Sequence, residues 1–212
     1  LDFDYEQNFK DDDFYVGKSN FYAFELIHKW PKWGKNFLNI SGERFSGKTH
    51  LVNIFLKKFN GLKIESNLLN DENLKTIKPY QNIILEDLNS GVNENLIYTL
   101  FNIIDQDNKF LIITSSKPIA EINFNLEDLR SRSKNCLLAK IENPDDELMF
   151  ALILKNLSDR QITLDKKLID FIIKRVERSY GKIFEFIYKI DKISLKKKKS
   201  IDFKIINEAL EE

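Results

Sequence analysis

Gly42-Glu43-Arg44-Phe45-Ser46-Gly47-Lys48-Thr49 is the stretch whose reading decides the fold. It fits the pattern G-x-x-x-x-G-K-[ST] at every fixed position. Phe37-Leu38-Asn39-Ile40 before it is a short apolar run of strand type, and His50-Leu51-Val52-Asn53-Ile54-Phe55-Leu56 after it repeats apolar residues at helical spacing. In the order strand, glycine-bounded loop, helix, backbone N–H groups wrap a phosphate and the helix N-terminus adds its partial positive charge. Lys48 is placed to reach the outer phosphates and Thr49 to hold a magnesium ion. The competing reading is an ordinary loop that matches by chance. The strand and helix on either side weigh against it.

The bulk properties narrow the classes. A chain of 212 residues allows one large domain, or a medium domain plus a small one, and 42% apolar residues with 17 Phe supply a core. Lys plus Arg equals Asp plus Glu at 33 each, so no global basic field draws the chain to DNA or an anionic membrane. No run approaches the ~18 apolar residues of a membrane span, and no signal peptide is visible. The single cysteine, Cys136, excludes an internal disulfide, points to a reducing cytoplasm and reads as core filling. Two histidines and one cysteine do not make a metal site. The first residue is Leu, not Met, so the expected N-terminus lies upstream.

Along the chain, residues 1–14 read as an acidic, aromatic arm without regular structure. Tyr15-Val16-Gly17-Lys18-Ser19-Asn20 is a turn, with Ser19 the expected N-cap of a helix through Trp30. Phe21, Phe24, Ile27 and His28 would share one face of that helix, with His28 half-buried, and Pro31 would stop it. Further strands are expected at 61–64, 82–85, 109–114 and 135–141, and a helix at 94–104. Residues 67–80 are short, polar and helix-like at most. Alternating strands and helices predict an α/β fold with a five-stranded parallel sheet. From Asn143-Pro144 onward only amphipathic helices follow, over 145–158, 165–177, 181–194 and 201–210, with Asp165 and Ser200 as caps. Lys196–Lys199, between the last two, reads as a solvated linker, because no aromatic or Arg residues stand beside it.

Magnesium at a phosphate loop needs an acidic residue at the end of a neighbouring buried strand. Ile83-Ile84-Leu85-Glu86-Asp87 supplies Glu86 as the metal residue and Asp87 as the residue that orients an attacking water. Asp reaches one methylene less far than Glu, and a misplacement of about 1 Å costs on the order of a hundredfold in rate. Ser115 and Ser116 end the strand expected between the phosphate-loop strand and the Glu86 strand, where a hydroxyl senses a terminal phosphate or simply closes a turn. Arg132 falls at the domain edge. An arginine there stabilises phosphate charge in a neighbouring molecule, or is a surface residue.

In this order the pieces resemble the AAA+ ATPases, and among them the DnaA-related family, in its Hda-like branch. The resemblance runs through Val16-Gly17-Lys18-Ser19-Asn20, Gly42–His50, Glu86-Asp87, Ile113-Thr114-Ser115-Ser116-Lys117-Pro118, residues 127–132 and the final helices. It implies an AAA+ domain over 15–143 and a small all-α lid over 144–212. By it, Gly42 to His50, with Val16, Gly17 and the lid residue Lys182, hold ADP or ATP, and Thr49 and Glu86 hold Mg. Ser116 resembles the first sensor and Arg132 the arginine finger. Lys182 stands where the family has an arginine, which keeps the charge and loses the bidentate fork. DnaA adds a C-terminal DNA-binding domain and extra helices for single-stranded DNA, for which 67–80 looks too short. Hda-type proteins lack both features and bind the sliding clamp through Gln-x-x-Leu-x-Phe, of which Leu1-Asp2-Phe3 matches the second half. The implied partners are DnaA, the clamp, and a neighbouring copy or heterologous partner for Arg132, with no membrane and no strong direct DNA binding.

Overall fold

The computed structural model describes residues 14–211. The chain packs as two units. The first takes in 20–42 and 47–141, with Phe14; the second takes in 15–19, 43–46 and the residues from 142 onward.

The first unit is built on five parallel strands: β1 (Phe37–Ser41), β2 (Leu62–Glu65), β3 (Asn82–Leu88), β4 (Phe110–Ser115) and β5 (Leu137–Lys140), in spatial order β2-β3-β4-β1-β5. β4 therefore lies between the strand that leads into the phosphate loop and the strand that carries Glu86, as the sequence predicts. Parallel strands buried on both faces need apolar residues at nearly every position, and β1, β3 and β4 have them. One face packs on α4 (Glu94–Gln106) and α5 (Glu127–Lys134), through Ile83, Leu85, Leu111 and Ile113 against Ile97, Leu100, Phe101 and Leu129. The other face carries α2 (Lys48–Lys58), which buries Leu51, Val52, Ile54 and Phe55 and packs on α1 (Phe21–His28) and β4. Residues 66–80 form a short 3-10 turn and α3 (Asp71–Thr76), six residues long.

α1 departs from expectation. Its buried face is Ala23, Leu26 and Ile27, while Phe21 is 52% exposed and His28 is exposed. Phe24 instead stacks on Phe14, and His28 bonds the Phe24 carbonyl at 2.9 Å. The helix ends two residues before Trp30, whose ring is occupied against Phe59 and Phe55. Ser19 does not cap α1. Asn20 takes that position, its carbonyl accepting from Phe24 N–H at 3.0 Å, while the Ser19 hydroxyl pairs with Tyr180 Oη at 3.2 Å.

The second unit is α6 (Asp146–Asp159), α7 (Lys166–Ile173), α8 (Tyr180–Lys197) and α9 (Phe203–Glu211). Met149, Ile153, Ile169, Ile172, Ile187, Ile190 and Ile206 form its core. Asp145, Asp165 and Ser179 cap the first three helices by accepting from Leu148, Lys167 and Lys182 N–H. Ser200 does not cap the fourth. Asp202 accepts from Lys204 and Ile205 N–H at 3.0 and 2.9 Å, and a carboxylate is the stronger acceptor. Lys196 and Lys197 belong to the last turn of α8, where cations suit the helix C-terminus, so the lysine run is only half linker.

A buried amide fixes the end of β1. Asn39 Nδ2 donates to Ile113 O at 3.1 Å and to Ser115 Oγ at 2.8 Å, and its Oδ1 accepts from Ile119 N–H at 3.0 Å. Asn39→Leu keeps the volume and orphans all three partners. We expect a loss of about 3 kcal/mol in urea unfolding of the first unit, followed by the fluorescence of the buried Trp33.

Candidate functional site: a phosphate loop

The loop leaves β1 under control of the sheet. Gly42 N–H donates to Ser115 O at 3.1 Å, so the end of β4 sets the loop's point of departure. Gly47 re-enters the helix at φ 90°, in the left-handed region, and a Cβ there would lie 2.9 Å from the Phe14 ring. Both conformation and space require glycine at that position. Leu51 N–H then bonds Gly47 O at 3.0 Å and α2 begins. Lys48 is buried, with Nζ donating to Gly42 O at 2.8 Å across the loop. Thr49 is half-buried, and His50 is buried with Phe14 edge-on at 5.3 Å. Phe14, which the sequence reading left in the arm, thus packs against both Gly47 and His50.

The loop's central residues pack with the helical unit. Glu43 places its carboxylate at the start of α8, accepting from the Ser179 hydroxyl and from Tyr180 and Gly181 N–H, both at 3.1 Å. Phe45 adopts φ 67° and stacks on Phe184 at 4.4 Å with an interplanar angle of 14°. Arg44 is exposed, with its guanidinium 4.9 Å from the Phe45 ring centre. Ser46 is buried, its N–H on Glu43 O at 3.2 Å and its hydroxyl without a hydrogen bond. In the same unit Gly17 lies against Leu148, Val16 is 42% exposed, and Lys182 pairs with Glu185 at 3.1 Å. That hydrogen bond and the Glu185 charge raise the Lys182 pKa above the usual lysine value.

Glu86 is buried on β3, with Oε2 paired to Lys63 Nζ of β2 at 3.0 Å and Oε1 buried without a hydrogen bond. Glu65, its register partner, has its carboxyl pushed above the ordinary glutamate value, first by burial and next by the Glu86 charge. Asp87 is exposed, at φ 53° in the irregularity between Leu85 and Leu88, with its N–H on Thr114 Oγ1 at 2.9 Å. The pair therefore diverges: one acid goes into the sheet, the other to solvent. Among the described residues no cluster of three or more His, Cys, Asp or Glu could hold a metal unaided. The unpartnered Glu86 oxygen would fit a magnesium held mostly by phosphate and water, for which Thr49 and Glu86 are the residues that could contribute.

Ser116 is exposed beyond the end of β4, whereas Ser115 is buried, its hydroxyl on Asn39. Arg132 lies on α5, paired with Asp105 of α4 at 2.9 Å and 5.4 Å from the Tyr98 ring centre. Cys136 is half-buried behind it, and burial pushes its thiol up to about 12. Sequence reasoning missed Lys63, Asp105 and Asn39. Asn39 carried a usable signal, as the lone polar residue in an apolar run. Lys63 and Asp105 carried none.

The fold is that of an AAA+-type P-loop domain with a helical C-terminal part. No family model matches the chain. Over 197 residues, 81% of this chain and 42% of that protein, it is 30% identical to the chromosomal replication initiator protein DnaA of Helicobacter hepaticus. Domain III of Thermotoga maritima DnaA superposes with a TM-score of 0.74 at 21% identity, covering 96% of this chain and 95% of that one. A DnaA bound to AMPPCP and single-stranded DNA gives 0.67 at 22%, covering 88% of this chain and 67% of that one. The chain is thus similar in sequence to DnaA proteins, and it spans about half, or less, of those it matches.

Two measurements check the geometry. Lys63→Ala leaves Glu86 buried without its countercharge; since Lys63 is 35% exposed, we expect a loss of about 2 kcal/mol in urea unfolding, mostly recovered by adding Glu86→Gln. A thiol pushed from 9.0 to about 12 holds about a thousandfold less thiolate at pH 8. Iodoacetamide should therefore label Cys136 of the folded chain far more slowly than that of the urea-unfolded chain.

Proposed function

We propose that the protein is a cytoplasmic, nucleotide-binding regulator of chromosomal replication initiation of the Hda type. It binds ADP or ATP with Mg at Gly42–Thr49, in a chain whose small helical domain begins near Asn143-Pro144. With the sliding clamp, it presents Arg132 to ATP held by DnaA and promotes hydrolysis there. The observation that carries this reading is the formed phosphate loop in a chain similar in sequence to DnaA, beside an acidic pair poorly arranged for turnover. Glu86 is charge-paired with Lys63, and Asp87 leaves the strand to face solvent. An AMPPCP-bound DnaA among the structural neighbours supports the nucleotide. The six-residue α3 supports a protein without extensive single-strand contacts. The clamp-binding reading of Leu1-Asp2-Phe3 lies outside the described residues.

A second reading, a free-standing ATPase, is favoured by one observation: the unpartnered Glu86 oxygen leaves room for magnesium chemistry. Clamp-loaded DNA, ATP-bound DnaA and the protein separate the two. Accelerated hydrolysis by DnaA is expected, with Arg132→Ala losing on the order of a thousandfold of it. Equal acceleration by wild type and variant, or none by either, rejects the regulator. Substantial turnover by the isolated protein, abolished by Asp87→Asn, selects the ATPase. Under both readings Lys48→Ala abolishes nucleotide binding in equilibrium dialysis.

A further inference from the structure

The second position of the phosphate-loop pattern is unconstrained, and here it holds an anion, Glu43. A carboxylate inside a cradle for phosphate opposes the ligand unless its charge is met elsewhere. It is met at the first turn of α8. There Glu43 accepts from the Ser179 hydroxyl and from Tyr180 and Gly181 N–H at 3.1 Å. The amides are among those a helix leaves unpaired at its start, and the helix dipole favours a negative charge there. Ser179 serves twice, since its hydroxyl oxygen also accepts from Lys182 N–H at 3.2 Å. Gly181 makes the approach possible: a Cβ at that residue would stand 2.9 Å from Glu43 Oε1.

A second attachment lies two residues on. Phe45 holds a left-handed backbone at φ 67°, a conformation that strains a non-glycine residue. Its ring lies nearly flat on Phe184 of α8, 4.4 Å between centres. Stacked rings offset such strain. The strained turn at the middle of the loop and the start of α8 therefore hold each other in place.

We propose that Glu43 is the positioning residue of the phosphate loop, its charge parked on α8, so that nucleotide binding and the order of the α8 N-terminus are linked. The linkage rests on the nucleotide reading of Gly42–Thr49. When α8 releases Glu43, the freed carboxylate opposes the phosphates. When nucleotide fixes the loop, the first turn of α8 is fixed with it.

The test uses the full chain, a fluorescent ADP analogue with Mg, and amide hydrogen exchange. In wild type, the analogue should slow exchange at Tyr180 and Gly181. Gly181→Val, which displaces Glu43, should weaken the analogue about tenfold and speed exchange at residues 180–182. Adding Glu43→Gln should return most of the lost affinity by removing the repelling charge, which a purely structural defect would not allow. Ser179→Ala, a gentler release, should shift affinity the same way by a smaller factor. Tight binding that leaves exchange at Tyr180 and Gly181 unchanged overturns the linkage alone, as does unaltered affinity in Gly181→Val. Failure of wild type to bind the analogue, ADP or ATP overturns the nucleotide reading and the linkage together.

Discussion

Asn39 holds its side-chain amide on the α4 face of the sheet, where an unpaired polar group would cost several kcal/mol. Its donors go to Ile113 O and Ser115 Oγ and its acceptor to Ile119 N–H, so one residue ties β1, β4 and the turn after β4 together. Two residues later the main chain repeats the tie, with Gly42 N–H on Ser115 O. The phosphate loop thus departs from a point that can neither slide along β4 nor twist away from it. A one-residue slip of β1 would turn Asn39 toward α2 and bring Leu38 and Ile40 to the wrong side. The register of β1 on β4, and with it the place where phosphate can be held, depends on that amide.

Much of this layout is legible in the sequence because its signals are local. Runs such as Ile83-Ile84-Leu85 and Leu111-Ile112-Ile113 announce buried parallel strands, and Gly-Lys-Thr announces the loop between strand and helix. The cap Asp165 acts on an amide two residues away. What escaped was decided by distant partners. Ser19 has the composition of an N-cap, but Tyr180, 161 residues away, engages its hydroxyl. Phe21 fits the apolar stripe of α1 by spacing, but the sheet presents its surface to Ala23, Leu26 and Ile27. Glu43, one of four variable loop positions, gives no sign in sequence that it ends on α8.

The acidic pair shows how neighbours decide what a motif can do. Glu86 and Asp87 are adjacent in sequence, and both stand at a strand end beside a phosphate loop. Lys63, on the neighbouring strand and in register two residues before the Glu65–Glu86 pair, supplies a charge that competes for Glu86 with any metal. The irregularity after Leu85 puts Asp87 at φ 53° and sends its side chain to solvent. In-line hydrolysis needs a base held to within about an ångström, and an exposed aspartate next to a strand irregularity is held less tightly than that. The motif survives in sequence, while the structure sends its two acids to different surroundings.

Arg132 poses the opposite question, because it is already engaged. Its partner Asp105 is 48% exposed and Arg132 itself 35%, at 2.9 Å. An ion pair that exposed is worth about 0–1 kcal/mol, and salt screens it further. The Tyr98 ring adds a cation–π contact of similar size. Together they hold the guanidinium in one place without holding it hard. A multiply charged phosphate in a drier setting offers a bidentate arginine far more than either neighbour does. Under the proposed role of Arg132, Asp105 and Tyr98 would keep its partly exposed guanidinium ordered, lowering the entropy cost of docking, and would give it up to a phosphate at little expense.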